Sequence, residues 1–142
     1  MKTNTGKSLH KTKKIFVILI IIEFFNGLSG LAGGFGLMSD LTAASLGMDV
    51  SWLEGTPFSN YLIPGIVLFF VNGVGNVFAA IISLRRNRHF ARAALFFGLI
   101  MMIWIISQVA WIGYKSFLQP LYFSSGLLQG ILGFLMLKKE SN

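Results

Sequence analysis

IFVILIIIEFFNGLSGLAGGFGLM, residues 15–38, is a run of 24 residues with one formal charge, Glu23. At roughly 1.5 Å of rise per residue, a helix of this length crosses a hydrocarbon layer about 30 Å thick. A soluble helix would carry a charged face against water, and this one has none to offer. Its solvent is therefore expected to be lipid. Three later stretches repeat the pattern, at residues 61–84, 93–114 and 117–137, and none of them contains a formal charge. The prediction is an all-α, four-helix transmembrane bundle forming one membrane domain over residues 1–142, with a structured outer loop at 39–60 and a cytoplasmic loop at 85–92.

Composition supports that reading. The chain is 54% hydrophobic and only 12% charged, with a mean hydropathy of +0.71. A soluble domain of this size lacks the interior to bury so much apolar surface, and carries about twice the share of charge. The net charge of +7 could suggest a nucleic-acid partner, but the basic residues lie in short runs beside apolar segments and form no stripe interleaved with aromatics. No nucleic-acid partner is expected. The absence of Cys excludes disulfides, thiol catalysis and thiolate metal sites.

The same basic residues give a direction. Lys2, Lys7, Lys11, Lys13 and Lys14 precede the first span, Arg85, Arg86, Arg88 and Arg92 join the second to the third, and Lys138 and Lys139 follow the fourth. Only Lys115 lies on the other side. Lys and Arg beside short loops stay in the cytoplasm, so both termini are expected there. Trp52, Tyr61, Trp111, Tyr114 and Tyr122 form an aromatic belt at the opposite interface. A cleavable signal peptide is the rival reading of the first segment, given its basic start and the small residues from Ser29 to Gly34. Glu23 and Asn26 interrupt that pattern, and apolar character continues to Met38.

The outer loop of 22 residues is long for a structureless link and is expected to fold into short turns. Ser39 or Asp40 would cap one that stops at Gly47, and Asp49 another that stops at Gly55. Thr56-Pro57-Phe58 would turn the chain into the second span, where Pro64 is tolerated near the helix start.

Glu23 is the leading candidate for function, because a carboxylate in hydrocarbon is costly. It shares a helix face with Asn26, Gly27, Gly30 and Gly34. The second span matches this with Gly65, Asn72, Asn76 and Ser83, and the fourth with Tyr122, Gly126, Gln129, Gly130 and Gly133. Glu23, Asn76 and Gln129 each lie eight residues from the basic end of their span, so all three are expected about 12 Å above the inner boundary. The expectation is an intramembrane polar cluster of Glu23, Asn26, Asn72, Asn76 and Gln129, with Glu23 donating a hydrogen bond to an amide of that layer. The plainer reading is interhelical packing, with Gly30/Gly34 and Gly126/Gly130 as small-xxx-small pairs.

Trp104, Gln108 and Trp111 share a face of the third span and could close an outer vestibule with Asn72; aromatic packing is the plainer alternative. Arg85, Arg86, Arg88 and Arg92 are expected to contact anionic lipid. His10 and His89 are isolated, so no metal is assigned, and no cofactor is expected. There is no Gly-x-Ser-x-Gly, no His-Glu-x-x-His and no phosphate-cradling loop. An enzyme would have to work through the loop carboxylates Asp40, Asp49 or Glu54.

The segment DLTAASLG (Asp40 to Gly47) followed by TPFSNYLIPG (Thr56 to Gly65) resembles a pattern found in small, uncharacterised four-span bacterial integral membrane proteins. The resemblance covers the first half of the chain best. It implies a four-span inner-membrane protein without an established activity. In topology alone the chain also resembles small multidrug exporters, which have four short spans and a membrane-embedded Glu in the first. That likeness would make Glu23 the shared proton and cation site of a dimer. The long loop at 39–60 departs from that family, and the residues around Glu23 do not reproduce its motif.

The sequence therefore favours a non-enzymatic, auxiliary or envelope-associated membrane protein. Its partners would be the lipid bilayer and either itself or other membrane proteins. The alternative is a small oligomeric proton-coupled transporter using Glu23. A membrane enzyme or lipid-binding protein using the loop carboxylates is the third reading.

Overall fold

The computed structural model describes the backbone of residues 2–141 and the side chains of residues 12–139. The side chains of Lys2, Lys7, His10 and Lys11 lie outside the described residues. Four helices make up the fold: α1 (Lys2–Ser39), α2 (Leu62–Leu84), α3 (Phe90–Ile112) and α4 (Leu118–Ser141). Each contains a segment long and apolar enough to cross a membrane. No strand occurs among the described residues.

The boundaries differ slightly from those read in the sequence. α3 begins at Phe90 rather than 93, so Arg92 lies on its first turn and the basic link runs only from Arg85 to His89. Its other end is Ile112, because Gly113 turns the chain with a φ of 78°. α2 closes through Arg86, which takes the left-handed conformation at φ 54°. There the Arg86 and Asn87 N–H groups return to the Ser83 and Ile82 carbonyls, the bonding pattern of a Schellman-type ending.

α2 is not uniform. Between Leu62–Val67 and Gly75–Leu84, residues Leu68–Val74 wind as a π-helix. Such turns widen the helix locally and recur at functional positions. Here the segment packs closely against α1. A Cβ built on Gly30 would fall 2.6 Å from the Gly73 nitrogen, and one on Gly34 2.5 Å from the Phe69 nitrogen. α3 and α4 form a second close pair, in which a Cβ on Gly98 would fall 2.7 Å from the Gly130 nitrogen. Small residues at these crossings bring backbone against backbone, the way helices gain dispersion contact when lipid offers no hydrophobic drive between them.

Two apolar clusters close the ends of the bundle. At the basic end Leu19, Phe90, Ala94, Leu132 and Met136 pack together, and the Arg86 guanidinium stands over the Phe16 ring at 5.4 Å. At the opposite end the 40–61 segment folds over the helices as a cap. Its two 3-10 turns are Ala44–Leu46 and Val50–Leu53, and Ala43, Leu53 and Tyr61 are buried against Leu37 of α1.

Asp49 caps the second turn as expected, whereas the first starts at Ala43, in the left-handed conformation and without a side-chain cap, and Asp40 holds it from outside. Asp40 accepts hydrogen bonds from Thr42 Oγ1 and Ser45 N at 2.8 and 2.9 Å, and Asp49 accepts from Ser51 N at 2.8 Å. Gly47 and Gly55 end the two turns with positive φ. Tyr61 then donates from its hydroxyl to the Asp49 carbonyl at 2.7 Å, fastening the second turn to the start of α2.

Candidate functional site

Between the two apolar clusters lies a polar layer built from all four helices. Gln129 of α4 is its centre. Its Oε1 accepts from Asn26 Nδ2 of α1 at 2.7 Å, and its Nε2 donates to Asn76 Oδ1 of α2 at 2.9 Å and to the Ala94 carbonyl of α3 at 3.1 Å. The other side-chain polar atoms of Asn26 and Asn76 each have a partner too. Ser125 Oγ donates to Asn26 Oδ1 at 2.5 Å, and Asn76 Nδ2 donates to the Asn72 carbonyl at 2.8 Å. Gln129, Asn26 and Asn76 are fully buried. A satisfied amide chain of this kind joins helices and holds their register, because breaking any link leaves a polar atom in an apolar interior.

Glu23 lies outside that chain. Its Oε1 accepts from Ser83 Oγ at 2.8 Å, while Oε2 has no partner among the described residues. This corrects the expected layer: Asn26, not Glu23, joins Asn76 through Gln129, and Glu23 pairs with a hydroxyl of α2 rather than with an amide. The reason is register. Counting from charged ends assumes that every span enters at the same level, whereas Gly30 on Gly73 and Gly34 on Phe69 fix how far α1 slides along α2.

Asn72 is fully buried, and its side-chain nitrogen and oxygen are both without partners among the described residues. Its place within the π segment explains its carbonyl's bond to Asn76. Nothing among the described residues satisfies the amide itself.

The vestibule expected from Trp104, Gln108 and Trp111 exists in altered form. A cavity of about 600 Å³ lies under the cap, with Trp104 and Gln108 in its wall. Trp111 is not in the wall: it is half exposed and its ring packs on Phe58 at 5.2 Å. Asn72 is buried and does not line it either. Two lining residues were not anticipated from the sequence. Lys115 stands over the Trp52 ring at 5.5 Å. Gln119, almost fully buried, accepts from Lys115 N at 2.7 Å and donates to Gln108 Oε1 at 3.1 Å, which pins the α3–α4 link. A Gln just inside a helix start is a weak sequence signal, and only its position beneath the link gives it this task.

Arg85, Arg86, Arg88 and Arg92 are exposed at the basic end, beside the exposed Lys13, Lys14 and Lys139. Arg88 Nε donates to His89 Nε2 at 3.2 Å. Among the described residues no group of three His, Asp or Glu side chains could hold a metal.

No protein-family model matches the chain, and neither a curated protein nor a solved structure does.

Proposed function

We propose that the chain is a non-enzymatic multi-pass protein of a bacterial cytoplasmic membrane, with both termini in the cytoplasm, serving an auxiliary, envelope-associated role through association with itself or other membrane proteins. The observation that carries this reading is the Gln129 junction. Its amide is bonded to all three other helices, so the central polar groups serve cohesion of the bundle. The outer carboxylates support it too, since Asp40 and Asp49 hold the turns of the cap. The basic end, where eleven of the twelve Lys and Arg fall, is the cytoplasmic side under the positive-inside rule.

Purification from native membranes under mild detergent tests the role: a stoichiometric protein partner or a discrete homo-oligomer is expected, and an isolated monomer would refute it. A reporter fused after Asn142 should be active in the cytoplasm. Activity on the opposite side would refute the orientation.

One observation favours the transport reading. Glu23 is fully buried with Oε2 unpartnered among the described residues, as a proton-carrying carboxyl in a membrane would be. Reconstituted vesicles decide between the two: flux lost in Glu23→Gln with the fold retained would establish transport. The favoured reading expects no Glu23-dependent flux.

A further inference from the structure

The cavity under the cap does not belong to the polar layer. Its walls are mainly apolar, with Leu37 of α1, Met101 and Ile105 of α3, and Leu68 of α2 among them. It is not closed on all sides. Ala32 of α1 and Leu118 of α4 both line it and are both exposed, so it opens sideways between these helices. Toward the centre of the bundle, Phe25 and Tyr122 meet at 5.6 Å and close the gap. If the four helices span a bilayer, this opening faces hydrocarbon, and what enters it comes from the membrane.

The cationic group of the cavity lies at the other end. Lys115 is at its mouth, on the link between α3 and α4, and is the one Lys or Arg on that side of the chain. Its ammonium group stands over Trp52 and pairs with no carboxylate among the described residues. A face-on ring contact leaves N–H donors available for an anion. Trp104 and Tyr122 also line the cavity, and the indole N–H and the hydroxyl have no hydrogen-bond partner among the described residues. An apolar slot open to lipid, with a cation where the headgroups begin, is complementary to an amphiphile with a negative head. The volume lies within the range of roughly 300–1,000 Å³ usual for small-ligand sites.

We propose that the cleft between α1 and α4 holds one acyl chain of an anionic phospholipid from the surrounding bilayer, with Lys115 against its phosphate. The proposal rests on the membrane-spanning reading, which flotation with vesicles and resistance to alkaline extraction check separately.

Tryptophan fluorescence in proteoliposomes tests it directly. With Trp52→Phe and Trp111→Phe in place, Trp104 is the sole tryptophan and reports from inside the cleft. Phosphatidylglycerol brominated on its acyl chains should quench Trp104 at a mole fraction about fivefold lower than brominated phosphatidylcholine does, the ratio expected for one Lys near a membrane surface. Lys115→Gln should bring the two lipids level, and Ala32→Phe should reduce quenching by both. Equal quenching by both lipids with Lys115 present would overturn the proposal, as would insensitivity to Ala32→Phe. A second copy is the competing occupant. The chain has no Cys, so disulfide dimers of Ala32→Cys, accompanied by loss of Trp104 quenching, would assign the cleft to that copy and also overturn the proposal. Native mass spectrometry of the unaltered protein needs no tryptophan replacement. Phosphatidylglycerol should be retained on it and lost from Lys115→Gln, and equal retention would count against the assignment.

Discussion

Gln129 Oε1 accepts a hydrogen bond from Asn26 Nδ2 at 2.7 Å, across 103 residues of chain, with both side chains fully buried. The bond ties α4 to α1, which have no short connection, and the other half of the Gln129 amide reaches α2 and α3. Replacing Gln129 by Leu removes three bonds and strands Asn26 Nδ2 and Asn76 Oδ1. Interhelical bonds in membranes contribute about 0.6 kcal/mol on average and up to about 2. Gln129→Leu should therefore lower stability by roughly 2–3 kcal/mol in detergent unfolding. A double-mutant cycle with Asn26→Ala should give a coupling of about 0.5–2 kcal/mol, and additive effects would show the bond to be dispensable.

Two glycines on different helices should respond in opposite ways. A Cβ on Gly30 would fall 2.6 Å from the Gly73 nitrogen and 2.8 Å from its Cα. Backbone cannot move aside as a side chain can, so Gly30→Ala should cost about 1–3 kcal/mol. A Cβ on Gly130 would meet only Leu95 Cδ1, at 3.9 Å. Gly130→Ala should be neutral or stabilising by up to about 1 kcal/mol from helix propensity. Thermal unfolding of the two variants side by side checks the contrast.

The cap should loosen in acid. The Asp40 carboxyl is held down to about 2, from an ordinary value of 3.8, chiefly by the Ser45 backbone N–H and then by the Thr42 hydroxyl. Asp49 is lowered too, through the Ser51 N–H. A carboxyl depressed in the folded state lends stability above its unfolded value and loses it as pH falls through the folded one. Protection of the Ser45 amide should therefore hold at pH 5 and fall away between about pH 4 and 2, after correction for intrinsic exchange. Asp40→Asn should lack that step.

The α3–α4 link depends on a side chain that sequence reading passed over. Gln119 Oε1 receives the Lys115 and Ser116 N–H groups, and its Nε2 reaches the Gly113 carbonyl and Gln108. Gln119→Ala leaves these groups without protein partners. Amide exchange at Lys115 and Ser116 should accelerate about tenfold or more, corresponding to the roughly 1.5 kcal/mol of a typical bond, while the Ala94 region stays protected. Unchanged exchange at the link would reject this role.

Much of the architecture was legible because it follows from local chemistry. Four apolar runs, uncharged but for Glu23, give four long helices wherever water is absent, since a helix satisfies its own backbone. The turns of the cap were readable at Asp49, Gly47 and Gly55, because capping and positive φ are properties of single residues and their neighbours. The first turn instead starts at Ala43, with φ 58° and no side-chain cap, and Asp40 braces it from outside through Thr42 and Ser45. The identity of the inner faces was readable as well: Glu23, Asn26, Asn72, Asn76 and Gln129 are all fully buried. Which of them meet was not. That depends on how far one helix slides along another, and the slide is set by contacts such as Gly30 on Gly73 that no periodicity encodes. The sequence by itself thus determined the number of helices, the faces they turn inward, the start of the second cap turn and the glycines that stop both. Only the tertiary structure decided that Asn26 rather than Glu23 bonds Gln129, that Trp111 stays outside the cavity, and that Lys115 and Gln119 stand at its mouth, because register and helix separation arise from packing between segments distant in the chain.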